Sequence, residues 1–355
     1  MHCMKRLSLY IHFPYCLSKC PYCDFFSVVG QKQNDDILIK AYQRDLKIFS
    51  NTKTPLDSVF FGGGTPSLMS EKLFISIFDE IQKSYLLSDT TEISLEANPD
   101  AIDKQKMIFF KSNGVNRLSM GVQALCDKDL KTLGRHHDLK TALDRIDDMK
   151  DVFSNSSIDL IYGRPEQKLS DWEKEIQTAL DFGIPHYSMY QLTIEDETPF
   201  GKNNVPEVSD LSGRAFWLLT KQAMTSAGAD MYEISNFAKK DMQCRHNLNY
   251  WTYQNYIGIG PAAHGRIDGI ATENPRHIDL WIKNKPLTEK LSSSEQHEER
   301  VMMGLRLTQG IPDDNISPKA IQKAIQNGWI TYQDKIIQPT EEGLLMLNQL
   351  TVLLM

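Results

Sequence analysis

Cys16, Cys20 and Cys23 fall within eight residues, in the spacing C-x3-C-x2-C ("CLSKCPYC"). Thiolates gathered this closely favour soft and borderline metals. A closed structural zinc site takes four ligands, and no fourth cysteine follows. Two readings satisfy that count. In one, His12, four residues before Cys16, completes a Cys3His zinc site. In the other, three thiolates hold three irons of a 4Fe–4S cluster, and the fourth iron stays open to a ligand, as a reactive centre requires. Cys3, Cys126 and Cys244 are scattered. Disulfide frameworks belong to short secreted chains, so in a chain of 355 residues the clustered thiols read as metal or redox chemistry.

Three thiols on one loop need a rigid frame behind them, and the flanking sequence repeats one. Short apolar runs at 7–13, 57–63, 92–97, 117–123, 157–163 and 186–193 read as strands. The segments 34–50, 71–87, 103–113, 138–151 and 170–183 carry helical spacing. Six strand–helix repeats predict a parallel sheet with helices outside it. The fold class is therefore α/β, as a partial (β/α)6 TIM-type barrel. Successive strand side chains point to opposite faces. Leu7, Leu9, Ile11 and Phe13 share one face of the first strand, and Tyr10 and His12 the other. Glu92, Ser94 and Glu96 oppose Ile93 and Leu95; Ser119 and Gln123 oppose Leu118, Met120 and Val122; Asp159 opposes Ile158, Leu160 and Tyr162. Polar residues thus gather near strand C-termini, on the face away from the helices, where barrels do their chemistry. Solvated sheet faces would give the same periodicity.

Beyond the repeats the pattern changes. The sequence divides into a core at 1–200, an irregular extension at 201–290 rich in Asn, Pro and aromatics, and a small C-terminal α-helical, winged-helix-like unit at 291–355. In the last, RVMMGLRL and SPKAIQKAIQNG read as helices, WITYQDKIIQP as a hairpin, and TEEGLLMLNQLTVLL as a final helix capped by Thr340. A winged helix raises the question of DNA, but residues 290–355 hold 6 Lys+Arg against 8 Asp+Glu. The whole chain has a net charge of −7, so no nucleic-acid partner is expected. No apolar run approaches the roughly 20 residues of a membrane span. The first residues lack the apolar region of a secretory signal, and a cytoplasmic location is expected.

The triad, with the aromatic Tyr22 just before its last cysteine, resembles the signature of the radical S-adenosylmethionine (SAM) superfamily. There, the amine and carboxylate of SAM chelate the open iron, and an electron from the cluster cleaves the sulfonium. The resemblance implies a 4Fe–4S cluster and SAM as cofactors, and a partial (β/α)6 barrel. "FFGGGTP" (60–66) follows the second strand and resembles the superfamily's glycine motif for the SAM amino group. Glycines let backbone approach a ligand without Cβ obstruction. "LYIHFPYC", "FFGGGTPS", "EANPD", "VNRLSMGVQ", "LGRHH", "DLIYG" and "HYSMYQLTIEDETP" together resemble the oxygen-independent coproporphyrinogen III oxidase-like family, over roughly 7–200. By position, the resemblance implies that Tyr10 and Tyr22 flank cofactor and cluster, and that Gly63, Gly64 and Thr65 hold the methionyl end of SAM. Glu96, Gln123, Arg135 and Asp159 would supply polar contacts. Arg135 can pair a carboxylate; Gln123 and Asp159 suit ribose hydroxyls, and Glu96 suits ammonium or hydroxyl groups.

The family holds decarboxylating oxidases and the related HemW-type heme chaperones. The oxidases typically carry a longer N-terminal arm and another cysteine two positions after the triad. Here the triad begins at residue 16 and Phe25 stands in that place. Both departures favour the chaperone type, which implies heme as a third ligand, heme-acceptor proteins as partners, and an electron donor. "CRHNLNYW" (244–251) is similar to the HemW signature H-N-x-x-Y-W. That similarity implies His246 as a heme ligand, with Tyr250 and Trp251 able to stack on a porphyrin. Cys244 and His264 are competing ligands.

Overall fold

The computed structural model describes residues 7–30, 34–50 and 54–355, and Cys3 lies outside them. The six expected strands form, as β1 (Leu7–Phe13), β2 (Ser58–Gly63), β3 (Glu92–Ala97), β4 (Arg117–Gln123), β5 (Ser156–Tyr162) and β6 (His186–Gln191). They lie side by side in chain order, all parallel. The helices between them span Asp35–Phe49, Glu71–Ser84, Lys104–Ser112, Leu139–Val152 and Leu169–Asp181. A short helix, Asp127–Thr132, was not legible from spacing. Leu9, Ile11 and Phe13 are fully buried with Val59, Phe61, Leu95, Leu118, Met120, Ile158 and Leu160 beneath the helices.

Each of the first four of these repeat helices starts where a side chain captures a free backbone N–H of its first turn. Asn34 accepts from Ile37, Ser70 from Leu73, Asp103 from Lys106 and Asp138 from Thr141. Such caps are each worth about 1 kcal/mol.

Residues 201–290 are more regular than their composition suggests. They contain a helix at Asp210–Ser226 and the strands β7 (Asp230–Glu233), β8 (Asn236–Ala238), β9 (Asn255–Ile259), β10 (His264–Ile267), β11 (Ile270–Glu273) and β12 (Leu287–Lys290). All join the same sheet, in the order β12-β11-β10-β9-β1-β2-β3-β4-β5-β6-β8-β7. β9 adds a seventh parallel strand beside β1. The outer strands run antiparallel. Their short length and the glycine in NYIGI hide them from periodicity. Gly258 is required there because a Cβ would lie 1.8 Å from the His264 carbonyl oxygen.

Residues 293–354 have a hydrophobic core of their own, including Val301, Leu305, Ile321, Ile337 and Leu350. A helix (Ser293–Gly304), a second helix (Pro318–Gln326) and a hairpin (Ile330–Gln333 with Ile336–Pro339) follow the expected winged-helix order. Thr340 caps as expected by accepting from Gly343. The expected last helix is broken at Met346 into Glu341–Leu345 and Leu347–Leu354. Arg214 grips Glu342 through both guanidinium nitrogens, at 3.1 and 2.7 Å, and ties this unit to the core.

The seventh strand is fastened by one buried carboxylate. Asp45, fully buried, accepts from Trp281 Nε1 at 2.7 Å and from Gly260 N at 3.2 Å, and pairs with Arg44. Asp45→Ala leaves those donors without an acceptor. Denaturant unfolding is expected to show a loss of about 3 kcal/mol, and Asp45→Asn a smaller one.

Candidate cofactor site

The chain leaves the C-terminal end of β1 directly into the cysteine loop. Backbone hydrogen bonds pin that loop at both ends: Gly64 N to Phe13 O (2.7 Å), Thr65 N to Tyr15 O (2.8 Å) and Val28 N to Pro14 O (2.7 Å). His12 adds a side-chain brace. Its Nδ1 lies 3.0 Å from Tyr10 Oη and its Nε2 2.9 Å from Phe26 O. Burial lowers its pKa to about 4, so the ring is neutral. Nε2–H then donates to Phe26 and Nδ1 accepts from Tyr10. Neither nitrogen is left for a metal, so the Cys3His zinc reading loses its fourth ligand.

A cavity of about 410 Å³ opens at the C-terminal ends of the strands. Cys16, Cys20, Tyr22, Cys23, Gly63, Gly64, Thr65, Glu96, Gln123, Arg135 and Asp159 all line it. None of the three thiols is in a disulfide. Two of them are joined by a chain of hydrogen bonds across the cavity wall. Thr65 Oγ1 donates to Cys16 Sγ (3.4 Å), Asn98 Nδ2 donates to Thr65 Oγ1 (3.0 Å), Arg135 Nη2 donates to Asn98 Oδ1 (2.6 Å), and Arg135 Nη1 donates to Cys20 Sγ (3.3 Å). Donors on the sulfurs stabilise thiolates, the form that ligates metal. Arg135 was expected to pair a SAM carboxylate; here its guanidinium spans Cys20, Asn98 and the Gly121 carbonyl. Asn98 was missed as a site residue, although it lies in the quoted "EANPD" just past the end of β3.

Opposite the thiols lies a surface suited to a cation bearing hydroxyl groups. Gly63 has φ +106°, and a Cβ on it would lie 2.7 Å from the His12 ring. A Cβ on Gly64 would lie 2.7 Å from Tyr15 O. Only glycine fits there, and backbone is bared to the cavity. Glu96 accepts from Gly63 N at 3.2 Å. Burial, reinforced by Asp159 nearby, pushes Glu96 up to about 8. Burial raises Asp159 too. Gln123 adopts φ +72°, an uncommon conformation off glycine that turns the end of β4 at the cavity. Three thiols and two carboxylates short of positive partners thus face one space. That donor set fits a 4Fe–4S cluster beside SAM.

Two expected residues lie elsewhere. Tyr10 faces inward but lines a second cavity, of about 350 Å³. His246, expected as a heme ligand, lies away from the cavity. It lies in the helix Arg245–Trp251, which crosses the base of the barrel, and is 1% exposed. Its Nδ1 lies 2.8 Å from Ser58 Oγ and its Nε2 2.9 Å from Tyr250 Oη, and Phe60 stacks on it at 4.8 Å. Burial, then Arg117, lowers its pKa to about 3. Both nitrogens are engaged and no face is open to iron. Cys244 is also buried, with its thiol on Glu92 at 3.4 Å. Glu92 in turn accepts from the backbone N–H groups of Arg245 (3.0 Å) and His246 (3.2 Å), satisfying the start of that helix.

Residues 10–179 match the radical SAM superfamily, and residues 291–346 the HemN C-terminal domain. The chain is 34% identical to the heme chaperone HemW of Escherichia coli, over 98% of this chain and 97% of the relative. It is also 34% identical to the heme chaperone HemW of Bacillus subtilis, over 96% and 97%. The chain belongs to the HemW family of radical SAM proteins. Coproporphyrinogen III oxidase (HemN) of E. coli, a radical SAM enzyme, shares the fold with a TM-score of 0.84 at 18% identity, over 99% of this chain and 90% of that one. Radical SAM membership implies the 4Fe–4S cluster and SAM, and in this HemW-family chain the cavity just described holds the matching side chains. Among the described residues no helix is long and apolar enough to cross a membrane.

At neutral pH Glu96 is largely protonated in the empty cavity, because its pKa is raised. A cationic ligand that pairs with the carboxylate must first displace that proton. SAM affinity, measured by calorimetry on the cluster-loaded protein, should therefore rise with pH by up to about tenfold per unit below 8 and level off above it. Glu96→Gln should flatten the profile.

Proposed function

We propose that this protein is a cytoplasmic heme chaperone. It binds heme and passes it to acceptor hemoproteins, with a 4Fe–4S cluster held by Cys16, Cys20 and Cys23 and with SAM held by Gly63, Gly64, Thr65, Glu96, Gln123 and Asp159. Cys16, Cys20 and Cys23 would hold the cluster, which when bound would supply one-electron chemistry toward the SAM sulfonium, the electron coming from a separate donor. The chain's own residues fix the loop, line up donors on the thiols and present carboxylates to the cation. The observation that carries the reading is likeness to heme chaperones along nearly the whole chain, C-terminal unit included. Phe25 supports it. The position where the oxidases typically carry a further cysteine holds an aromatic ring that is 64% exposed. Free thiols at the barrel mouth suit a reducing compartment.

The test is anaerobic reconstitution with iron and sulfide, followed by addition of SAM with either heme or coproporphyrinogen III. A Soret band that stays with the protein through gel filtration, with no porphyrin converted, is the expected result. SAM-dependent decarboxylation of coproporphyrinogen III would overturn the reading in favour of the oxidase. Substituting alanine for Cys20 should remove the cluster's charge-transfer absorption.

His246→Ala should act on stability instead. Removing a stacked, doubly hydrogen-bonded ring from the barrel base is expected to cost about 2–4 kcal/mol. The heme spectrum should remain that of the unsubstituted protein. A lost Soret band with an unchanged unfolding midpoint would restore His246 as a ligand.

A further inference from the structure

The second cavity shares a wall with the first, since Asp24 and Phe25, directly after Cys23, line both. Its other walls come from far apart in the chain. Phe26 belongs to the cysteine loop, Tyr250 and Trp251 to the helix at the barrel base, Tyr256 to β9, and Met303 to the first helix of the C-terminal unit. Flat aromatic faces therefore dominate it, and Tyr250 and Tyr256 hold each other edge to face at 4.6 Å. Phe25 offers its ring to this space without cover. Two polar groups stand out on the lining. Arg276 is exposed and cationic. His264, at the start of β10, has its side chain 56% exposed.

We propose that this second cavity is the heme site, with His264 as an axial ligand of the iron and Arg276 as partner of a propionate. The inference rests on the heme-binding reading above. Heme is a flat apolar disc with carboxylates on one edge and an iron that needs a ligand along its normal. Aromatic walls, one cation and one accessible imidazole answer those three features. His12 also lines the cavity, but its nitrogens are committed to Tyr10 and Phe26. His264 is different. Its Nε2 lies 4.0 Å from Glu273 Oε1. That separation is beyond hydrogen-bond reach, so the carboxylate does not tie up the ring and an imidazole nitrogen is available to iron. Asp24 is the acidic residue of the lining and sits on the shared wall beside Phe25, so the propionate edge belongs at Arg276. Met303 brings a thioether into the same space.

The experiment uses the full chain, reconstituted anaerobically and titrated with hemin and with metal-free protoporphyrin IX. Soret absorption and tryptophan fluorescence quenching are the readouts. His264→Ala and Arg276→Gln alter exposed side chains, and unchanged thermal midpoints and cluster absorption verify their fold. His264→Ala should shift the heme Soret band and weaken hemin by more than about tenfold, while protoporphyrin IX binding is unchanged because no iron is present. Arg276→Gln should weaken both ligands by about threefold to tenfold. If the unsubstituted protein binds hemin and both variants match it in band position and affinity, the second cavity is not the site, and the heme-binding reading survives. If only one variant differs, the role of the other residue is overturned. If the unsubstituted protein takes up no heme, both readings fall together.

Discussion

One neutral imidazole ties the reactive loop to the sheet. His12 receives the Tyr10 hydroxyl on one nitrogen and donates to the Phe26 carbonyl from the other. Tyr42 also donates to the His12 carbonyl at 2.7 Å. The loop that starts after β1 is thereby folded back onto the strand it left, with three thiols on the bend between. Protonating the ring would cost the Tyr10 contact, and its depressed pKa keeps that state out of the physiological range. Gly63 must lack a side chain for the same reason, since a Cβ there would enter the space the ring occupies. The glycine motif and the cysteine motif are thus one packing problem, solved jointly.

The parallel sheet does the rest of the positioning. Because β1 to β6 all point the same way, the residues at or just past their C-terminal ends meet at one level, although they are far apart in sequence. Thr65, Asn98 and Arg135 come from three successive repeats and still form a continuous hydrogen-bonded path between Cys16 and Cys20. At the opposite end, Ser58, Glu92 and His246 form a polar layer whose members satisfy one another. The barrel interior is therefore stratified: a base of mutually bonded polar groups and a mouth that faces a cavity. Burial, with Asp159 nearby, raises Glu96, and burial raises Asp159 too, whereas burial and Arg117 keep His246 neutral.

Much of this was legible in the sequence, for identifiable reasons. The β1–β6 repeats are long enough for a period-two pattern to show, so Glu96, Gln123 and Asp159 could be assigned to one face and one end before any contact was known. Tyr22 and the triad carried their meaning in spacing. Arg135 was assigned by resemblance, and its contacts with a cluster thiol and Asn98 depend on a fold no spacing reveals. The burial of His246 was not legible because a motif states residue types and not burial; the same histidine that suits iron also suits a closed hydrogen-bonded core. β9 to β12 were missed because four- and five-residue strands broken by glycine and tight turns have no period to detect. Phe25 was noticed only for the cysteine it lacks, whereas its place on a wall between two cavities is a fact of three dimensions.

The helix Arg245–Trp251 across the base has a consequence for traffic. Its His246 and Tyr250 close the N-terminal ends of the strands with Ser58, and the cofactor cavity lies at the other end, the mouth. An occupant of that cavity would come and go past the cysteine loop. The loop that carries the three thiols is thus also the threshold of the cavity.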